Sequence, residues 1–377
     1  MAANLLGPPA DCLKMEDGRA LANMRSKMIR LACTGLYVSG ALALLRWCAK
    51  RMMPAAHGAA GAVFPFVMKR RAPSLQILTY HRVNDEHDPF FPATPVDVFE
   101  KQMAYVARRH HVCALDEAVE RLRLGDLPDH AVAITFDDGY RDNYLHAFPV
   151  VKSLSLPMTI FLATDAIGTG RTLWHDRVFS AFRDTAAPAI RGFGPAFDGA
   201  SLRTVRERIG VMGQVLASLR QVHDDERNRR ITELCRALEV RERVEDPELM
   251  LTWDDVKRMR GHGVSFGSHT ASHPILSRLS RQETVAEIER SCAAMERHLG
   301  ERPVLFAYPN GTKADFTDMT KDVLKASGFR CAVTTEFGVN EPGADRFELK
   351  RGRPWEEHLP TFAFKLSWYR LMSSHAA

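Results

Sequence analysis

The sequence predicts an α/β fold, a distorted and incomplete (β/α) barrel of about seven parallel strands carrying a helical insertion. Three observations predict it. From Leu75 onward, short apolar runs alternate with helical-looking stretches. Polar residues able to do chemistry follow directly on several of those runs, as they do at the C-terminal rim of a barrel. Between Ala163 and Thr252 the rhythm stops, and no second strand is visible. The strand runs are read at 75–80, 111–114, 131–136, 158–163, 264–268, 304–308 and 330–334. Helices are read near 97–109, 116–124, 142–154, 281–299 and 314–327. The interruption, about 166–250, begins Gly-rich and continues as a charged stretch from Leu202 to Arg243. A structureless loop of this length is improbable in a compact domain, so a helical subdomain is expected there.

Composition is that of an ordinary folded protein: 377 residues, 45% apolar and 26% charged. The expected organisation is an N-terminal segment (1–53), a Gly/Ala/Pro-containing linker (54–74), the catalytic-type domain (75–355) and a C-terminal tail (356–377). A formal charge of +5, from 51 basic and 46 acidic side chains, is small for this length. The basic residues are interspersed with acids, so no nucleic-acid stripe is present. Seven cysteines (Cys12, Cys33, Cys48, Cys113, Cys235, Cys292, Cys331) are scattered without a C-x-x-C. That excludes a cysteine zinc site and a disulfide scaffold and leans toward a reducing compartment; any metal must find other ligands.

Residues 1 to 24 show no pattern, and Met24 and Met28 each precede a basic-then-apolar stretch and are alternative starts. The run from Leu31 to Leu45 is mainly apolar, bracketed by Arg25, Lys27 and Arg30 and by Arg46, Lys50 and Arg51. A membrane-spanning helix needs about 20 apolar residues, and this run falls short. Three readings stay open: an uncleaved anchor or interfacial helix meeting a membrane surface through residues 29–53, a helix packed on the protein itself, or a signal peptide ending in Ala-Ala-His-Gly-Ala-Ala-Gly-Ala.

The run Ala131–Phe136 ends in Asp137-Asp138-Gly139-Tyr140. Adjacent carboxylates repel, and a cation would ligate one and leave the other as a base; an ordinary turn is the plainer reading. Val264–Ser268 leads into His269-Thr-Ala-Ser-His273-Pro274. Two histidines four apart meet on one face of a helical turn. With one carboxylate they leave coordination positions open for water and substrate, although paired histidines also serve as plain polar structure. His81, in Thr79-Tyr80-His81, ends the first strand and should face the same rim. Trp174, His175 and Asp176 begin the insertion, and Trp253 to Asp255 close it. Such aromatics could line a sugar cleft, but packing of the insertion is the commoner role, and Thr252 to Asp255 reads first as a helix N-cap.

Taken together, Thr135-Phe-Asp-Asp-Gly139 and His269-Thr-Ala-Ser-His273 resemble the T-F-D-D-G and H-S/T-x-x-H motifs of the polysaccharide deacetylases, carbohydrate esterase family 4. The resemblance covers about Leu75 to Pro354. It implies that Asp138, His269 and His273 hold one divalent metal ion, zinc first among the choices, and that Asp137 is the catalytic base. It implies hydrolysis of the acetamide of an N-acetylated sugar in a polysaccharide or glycan precursor. The C-terminal Leu-x-x-His that supplies the acid in many members has no good match, His358 standing in a weak context. His81 fits instead, as in the branch of poly-N-acetylglucosamine deacetylases. Phe306-Ala-Tyr-Pro-Asn-Gly311 resembles the substrate loop, which makes Tyr308, Pro309, Asn310 and Gly311 substrate-binding candidates, with a backbone amide for the oxyanion.

The arginine that often precedes that loop is missing, Phe306 and Ala307 occupying its approach. Arg351 or Arg353 is placed to supply the charge from the last strand, which adds Arg351 to the substrate-binding candidates; a solvated basic turn is the competing reading. The same metal site also suits a carbohydrate O-acetyl esterase or another non-peptide C–N hydrolase. An inactive glycan-binding protein would show a damaged base or ligand, yet Asp137, Asp138, His269 and His273 are all present. The expected partner is an acetylated glycan, and the bacterial cytoplasm, the inner-membrane surface and export all stay open as locations.

Overall fold

The structure, a computed structural model, describes residues 15–38, 73–352 and 356–372. Its frame is one parallel sheet. The strands are β1 (Gln76–Tyr80), β2 (His111–Val112), β3 (Ala131–Phe136), β4 (Met158–Leu162), β5 (Val264–Ser268), β6 (Leu305–Ala307), β7 (Cys331–Phe337) and β8 (Leu349–Arg351). Seven of them follow the order β1-β3-β4-β5-β6-β7-β8, while β2 is a two-residue strand paired to the start of β3. Past the end of β8, Gly352 bridges back to Leu78, with Gly352 N donating to Ile77 O at 2.7 Å and Thr79 N to Gly352 O at 3.0 Å. The result is the expected barrel, nearly closed.

Side chains alternate across each strand, and the inward set decides what the barrel holds. Ile77, Ala133, Phe161, Leu305, Ala307, Val333 and Leu349 share one core cluster, joined at one end by Leu115, Ala118 and Leu122 of the helix Leu115–Leu124. The interior is filled rather than hollow. Gly267 in β5 shows how tightly: a Cβ there would lie 2.6 Å from the Phe161 ring and 2.8 Å from Leu305 O. The outward set, including Leu78, Ile134, Phe136 and Ile160, meets the surrounding helices.

Those helices are α1 (Met15–Val38), α2 (Val96–Arg109), α3 (Leu115–Leu124), α4 (Phe148–Ser153), α5 (Trp174–Asp184), α6 (Val205–Leu219), α7 (Asp224–Ala237), α8 (Trp253–Arg260), α9 (Arg281–Leu299), α10 (Asp318–Ala326) and α11 (Leu359–Met372). Helix α8 starts on the expected cap, Thr252 Oγ1 accepting from Asp255 N at 3.1 Å. The stretch read as one helix over 142–154 divides into a π-helical turn, Asn143–Ala147, and α4. Between β4 and β5, helices α5, α6 and α7 build their own core around Val178, Phe182, Leu216, Leu219, Ile231 and Leu234.

Two helices lie where the sequence shows no clear element. Helix α1 begins at Met15, inside the stretch without pattern, and α11 occupies the supposed tail. They touch one another, and Phe362 of α11 packs edge-on to Tyr105 of α2 at 6.1 Å. Of the three readings of the N-terminal segment, packing on the protein accounts for α1 as far as Val38; the rest of that segment and the linker to residue 72 lie outside the described residues. Among the described residues no helix is long and apolar enough to cross a membrane.

Candidate active site

The groups singled out in the sequence converge at the C-terminal ends of β1, β3, β5 and β8. Asp138 sits just past β3 at φ 72, and Gly139 follows at φ 86. A Cβ on Gly139 would stand 2.8 Å from Ile167 Cδ1, so glycine is required both by the backbone and by the space. His269 continues from β5 through its N–H to Leu162 O, 2.9 Å. His273 does not reach the site on a helical turn as expected. Residues 269–275 form a loop in which Thr270 and His273 have φ 66 and 62. Glu287 of α9 holds that loop, its carboxylate accepting from Ala271 N at 3.2 Å and Ser272 N at 2.9 Å. The backbone here is shaped by tertiary anchors rather than by helix periodicity.

Asp138, His269 and His273 are buried and offer one ligand atom each, all within 4.8 Å of one another. Asp138 Oδ1 is 3.4 Å from His269 Nε2 and 3.3 Å from His273 Nε2. His269 Nδ1 lies 2.7 Å from Ala307 O, a contact that fixes its proton on Nδ1 and turns the Nε2 lone pair toward the carboxylate. Among the described residues Asp138 Oδ1 has no hydrogen-bond partner. Lone pairs facing a buried carboxylate fit a cation between them, and one carboxylate with two imidazoles is a donor set suited to zinc. Burial raises the Asp138 carboxyl, but when the two imidazoles carry protons toward it they outweigh burial and hold it well below the usual range.

Asp137 points into the barrel, with its own counter-charge. Arg351 of β8 donates through Nη1 to Asp137 Oδ1 at 2.8 Å and through Nη2 to Oδ2 at 2.6 Å. Its Nε donates to Thr334 O at 2.6 Å, which locks the fork. Arg351, grouped with the substrate-binding candidates, is therefore a fully buried partner of Asp137 rather than a residue of the solvated turn. Burial raises Asp137; the guanidinium, with His269 and His81 nearby, reverses the sign and leaves it below the ordinary carboxylate value. His81 Nε2 is 3.7 Å from Asp137 Oδ2, and burial lowers its basicity against the pull of Asp138 and Asp137. His358 is elsewhere, with Nε2 against Thr34 Oγ1 and Nδ1 against Thr361 Oγ1.

The substrate loop divides. Asn310, at φ 58, lines the cleft, and its Nδ2 is buried without a partner among the described residues. Tyr308 is packed in the core against Phe316, its hydroxyl donating to Phe347 O. Of the loop's backbone amides, that of Tyr308 donates to Val333 O at 3.2 Å and that of Gly311 to Pro309 O at 2.7 Å. Gly311 takes φ 70 with Thr335 N and Tyr308 O each 2.9 Å from where a Cβ would be. Of these four residues, Asn310 alone has its side chain in the cleft lining.

The opposite wall comes from the insertion: His175 and Phe179 of α5, with Leu216 and Arg220 of α6 and its end. Sequence reasoning left His175 outside the site. Its Nε2 is 3.9 Å from Asp138 Oδ2 and 3.0 Å from the Tyr140 hydroxyl. Tyr140 donates to Asp176 Oδ1 at 2.8 Å, so its oxygen is left to accept from His175. Burial drives Asp176 up to about 7, opposed by the Tyr140 hydrogen bond and helped by the Asp138 charge. The triplet Trp174-His175-Asp176 was the available signal; the signal for Phe179, Leu216 and Arg220 lay only in their being part of the insertion.

A buried carboxylate and two histidines at the rim of a parallel barrel, beside a second carboxylate held by an arginine, form a candidate metal centre. The chain matches the polysaccharide deacetylase family model over residues 125–332, more than half its length, and belongs to that family, hydrolases of non-peptide C–N bonds. The protein YxkH of Bacillus subtilis (strain 168), named for the same family, is 21% identical over 290 residues, 76% of this chain and 74% of that one. Among solved structures, IcaB from Ammonifex degensii superposes with TM-score 0.53 at 21% identity, covering 79% of this chain and 98% of its own. The Streptococcus pyogenes deacetylase PplD, solved with acetate, superposes with TM-score 0.50 at 19% identity over 75% and 93%. These likenesses support the fold.

Proposed function

We propose that this polysaccharide deacetylase removes acetyl groups from N-acetylated sugars of a glycan, with Asp137 as base, His81 as acid, and Asp138, His269 and His273 as ligands of one divalent ion. The observation that carries the reading is the division of labour between neighbouring carboxylates: Asp138 faces the Nε2 atoms of two imidazoles, while Asp137 is clamped by Arg351 and faces the cleft beside His81. A divalent ion in such a site acidifies a water and polarises an acyl oxygen.

The chain's own groups then do the rest. Asp137 accepts the proton of the attacking water, and the Arg351 fork keeps its oxygens fixed while it does so. His81, within 3.7 Å of Asp137, is placed to return a proton to the leaving nitrogen. Asn310 Nδ2 is a spare donor for the acetamide or a sugar hydroxyl, and Phe179 and Leu216 give the cleft an apolar wall for methyl or ring faces.

The test is acetate release from N-acetylglucosamine oligomers by the full chain after chelation, with and without added zinc, beside Asp137→Asn. Zinc-restored release absent from the variant is the expected result. Release only from O-acetylated glycans would move the activity to an esterase, and equal release by the variant would remove Asp137 from the role of base.

A further inference from the structure

The cleft contains one charge that deacetylation does not use. Its ionised lining residues are Asp137, Asp138, Arg220 and Arg351. Arg351 is committed to Asp137, and Asp138 belongs to the proposed ion site. Arg220 remains. It follows the last residue of α6, its backbone N–H capping Leu216 O at 3.1 Å. Among the described residues its guanidinium makes no ion pair or hydrogen bond, and its Nε is buried without a partner.

Asp315 is the carboxylate whose field reaches it, but that group already accepts from Thr312 N at 2.9 Å and Thr312 Oγ1 at 2.5 Å. The insertion's other arginines are different. Arg177 pairs with Glu242 and Arg227 with Asp224, while Arg208 donates to the carbonyls of Phe182, Arg183 and Thr185. Those of the insertion without such contacts, such as Arg203 and Arg236, stand exposed. A guanidinium partly withdrawn from water with no counter-charge is costly to maintain, and an arginine fork is suited to phosphate or carboxylate oxygens. Arg227, nearly fully buried with Nε and Nη1 unpartnered, adds positive potential on the same side and is felt at His273.

We propose that Arg220 binds an anionic group, a phosphate or a carboxylate, carried by the glycan close to the sugar that loses its acetyl group. The proposal rests on the deacetylase reading for the identity of the ligand, and it makes the physiological substrate a charged N-acetylated glycan rather than a neutral one. The insertion then selects the substrate while the barrel performs the hydrolysis.

Binding is measured first, by calorimetry on the chelator-treated full chain with N-acetylglucosamine, N-acetylglucosamine 1-phosphate and N-acetylmuramic acid. Chelation keeps a bound metal from holding the anion. One of the two charged sugars should bind on the order of tenfold or more tightly than the neutral one, the scale of a charge-assisted hydrogen-bonded pair. Which one does so separates phosphate from carboxylate. Arg220→Gln should abolish the preference, and Arg220→Lys should retain part of it. The lysine variant covers the case in which the glutamine variant fails to fold. Equal affinity for all three sugars, or a preference that survives in a folded Arg220→Gln, overturns the assignment.

Acetate release from neutral oligomers and from the same oligomers bearing a terminal phosphate separates the two proposals. Arg220-dependent binding with no release from any N-acetyl sugar would sink the deacetylase reading and leave the anion site. Equal release from both substrates, lowered alike by Arg220→Gln, would sink the anion site and leave the deacetylase.

Discussion

The barrel rim and the helical insertion face each other across one cleft, and they handle charge in opposite ways. At the rim each carboxylate faces groups fixed by the fold: Arg351 grips Asp137 with two short hydrogen bonds, and Asp138 stands against two imidazoles in the candidate ion site. Across the cleft, α6 ends in an arginine with no partner among the described residues. A rim closed on itself suits chemistry that must be identical at each turnover, because fixed dipoles need not reorganise as charge develops. An open charge suits recognition, because its partner arrives with the ligand. The contrast teaches that one cleft can divide catalysis and selection between two cores, the filled barrel and the separate cluster of α5, α6 and α7.

Variants at the rim should break this contrast most strongly. Asp137→Asn keeps the side-chain shape and removes the proposed base, so kcat should fall by roughly 10²–10⁴-fold with metal content unchanged. Parallel metal analysis checks the second half; loss of the metal would make Asp137 a ligand instead.

Arg351→Gln should cost about 3–5 kcal/mol of stability, the usual result of deleting one partner of a buried pair, measured by denaturant unfolding. It also has a pH signature. Asp137 is held below its unfolded value, so its stabilising contribution is present above the unfolded pKa and is lost as pH falls through the folded one. Without the guanidinium only burial acts strongly, the carboxyl rises, and the acidic limb of kcat/KM should move to higher pH. An unmoved limb would separate Asp137 from the rate.

Gly267→Ala tests the packing that aims the rim. The added methyl meets the Phe161 ring and Leu305 O, and overpacking of this kind should cost about 1–3 kcal/mol. A neutral result would mean that β5 shifts easily and that its histidines are less fixed than the structure shows.

The smallest effect is expected on the insertion side. His175→Phe removes a neutral hydrogen bond to Tyr140 and keeps the ring, so kcat/KM should drop by no more than about tenfold with metal retained. Loss of metal from this variant would sharpen the comparison differently, by making the insertion part of the ion site.

Much of this centre can be read along the chain. Asp137 and Asp138 are adjacent, His269 and His273 lie four apart, and each pair directly follows a short strand-like run. Contiguous residues keep their proximity in any fold, so each pair by itself was determined by the sequence, as were the alternation that makes the barrel and the helical nature of its insertion; that the two pairs meet depends on the strands closing side by side. Contacts that depend on long-range closure were decided only by the tertiary structure. Arg351 meets Asp137 across 214 positions because β8 returns to β1 and completes the ring. The Tyr308 amide goes to Val333, and the loop that sets His273 is shaped by Glu287. His175 and Arg220 reach the cleft because the insertion folds back over the rim, an orientation set by packing between cores rather than by any local pattern. Local periodicity specifies elements, whereas the pairing of charges from distant strands depends on how those elements close in three dimensions.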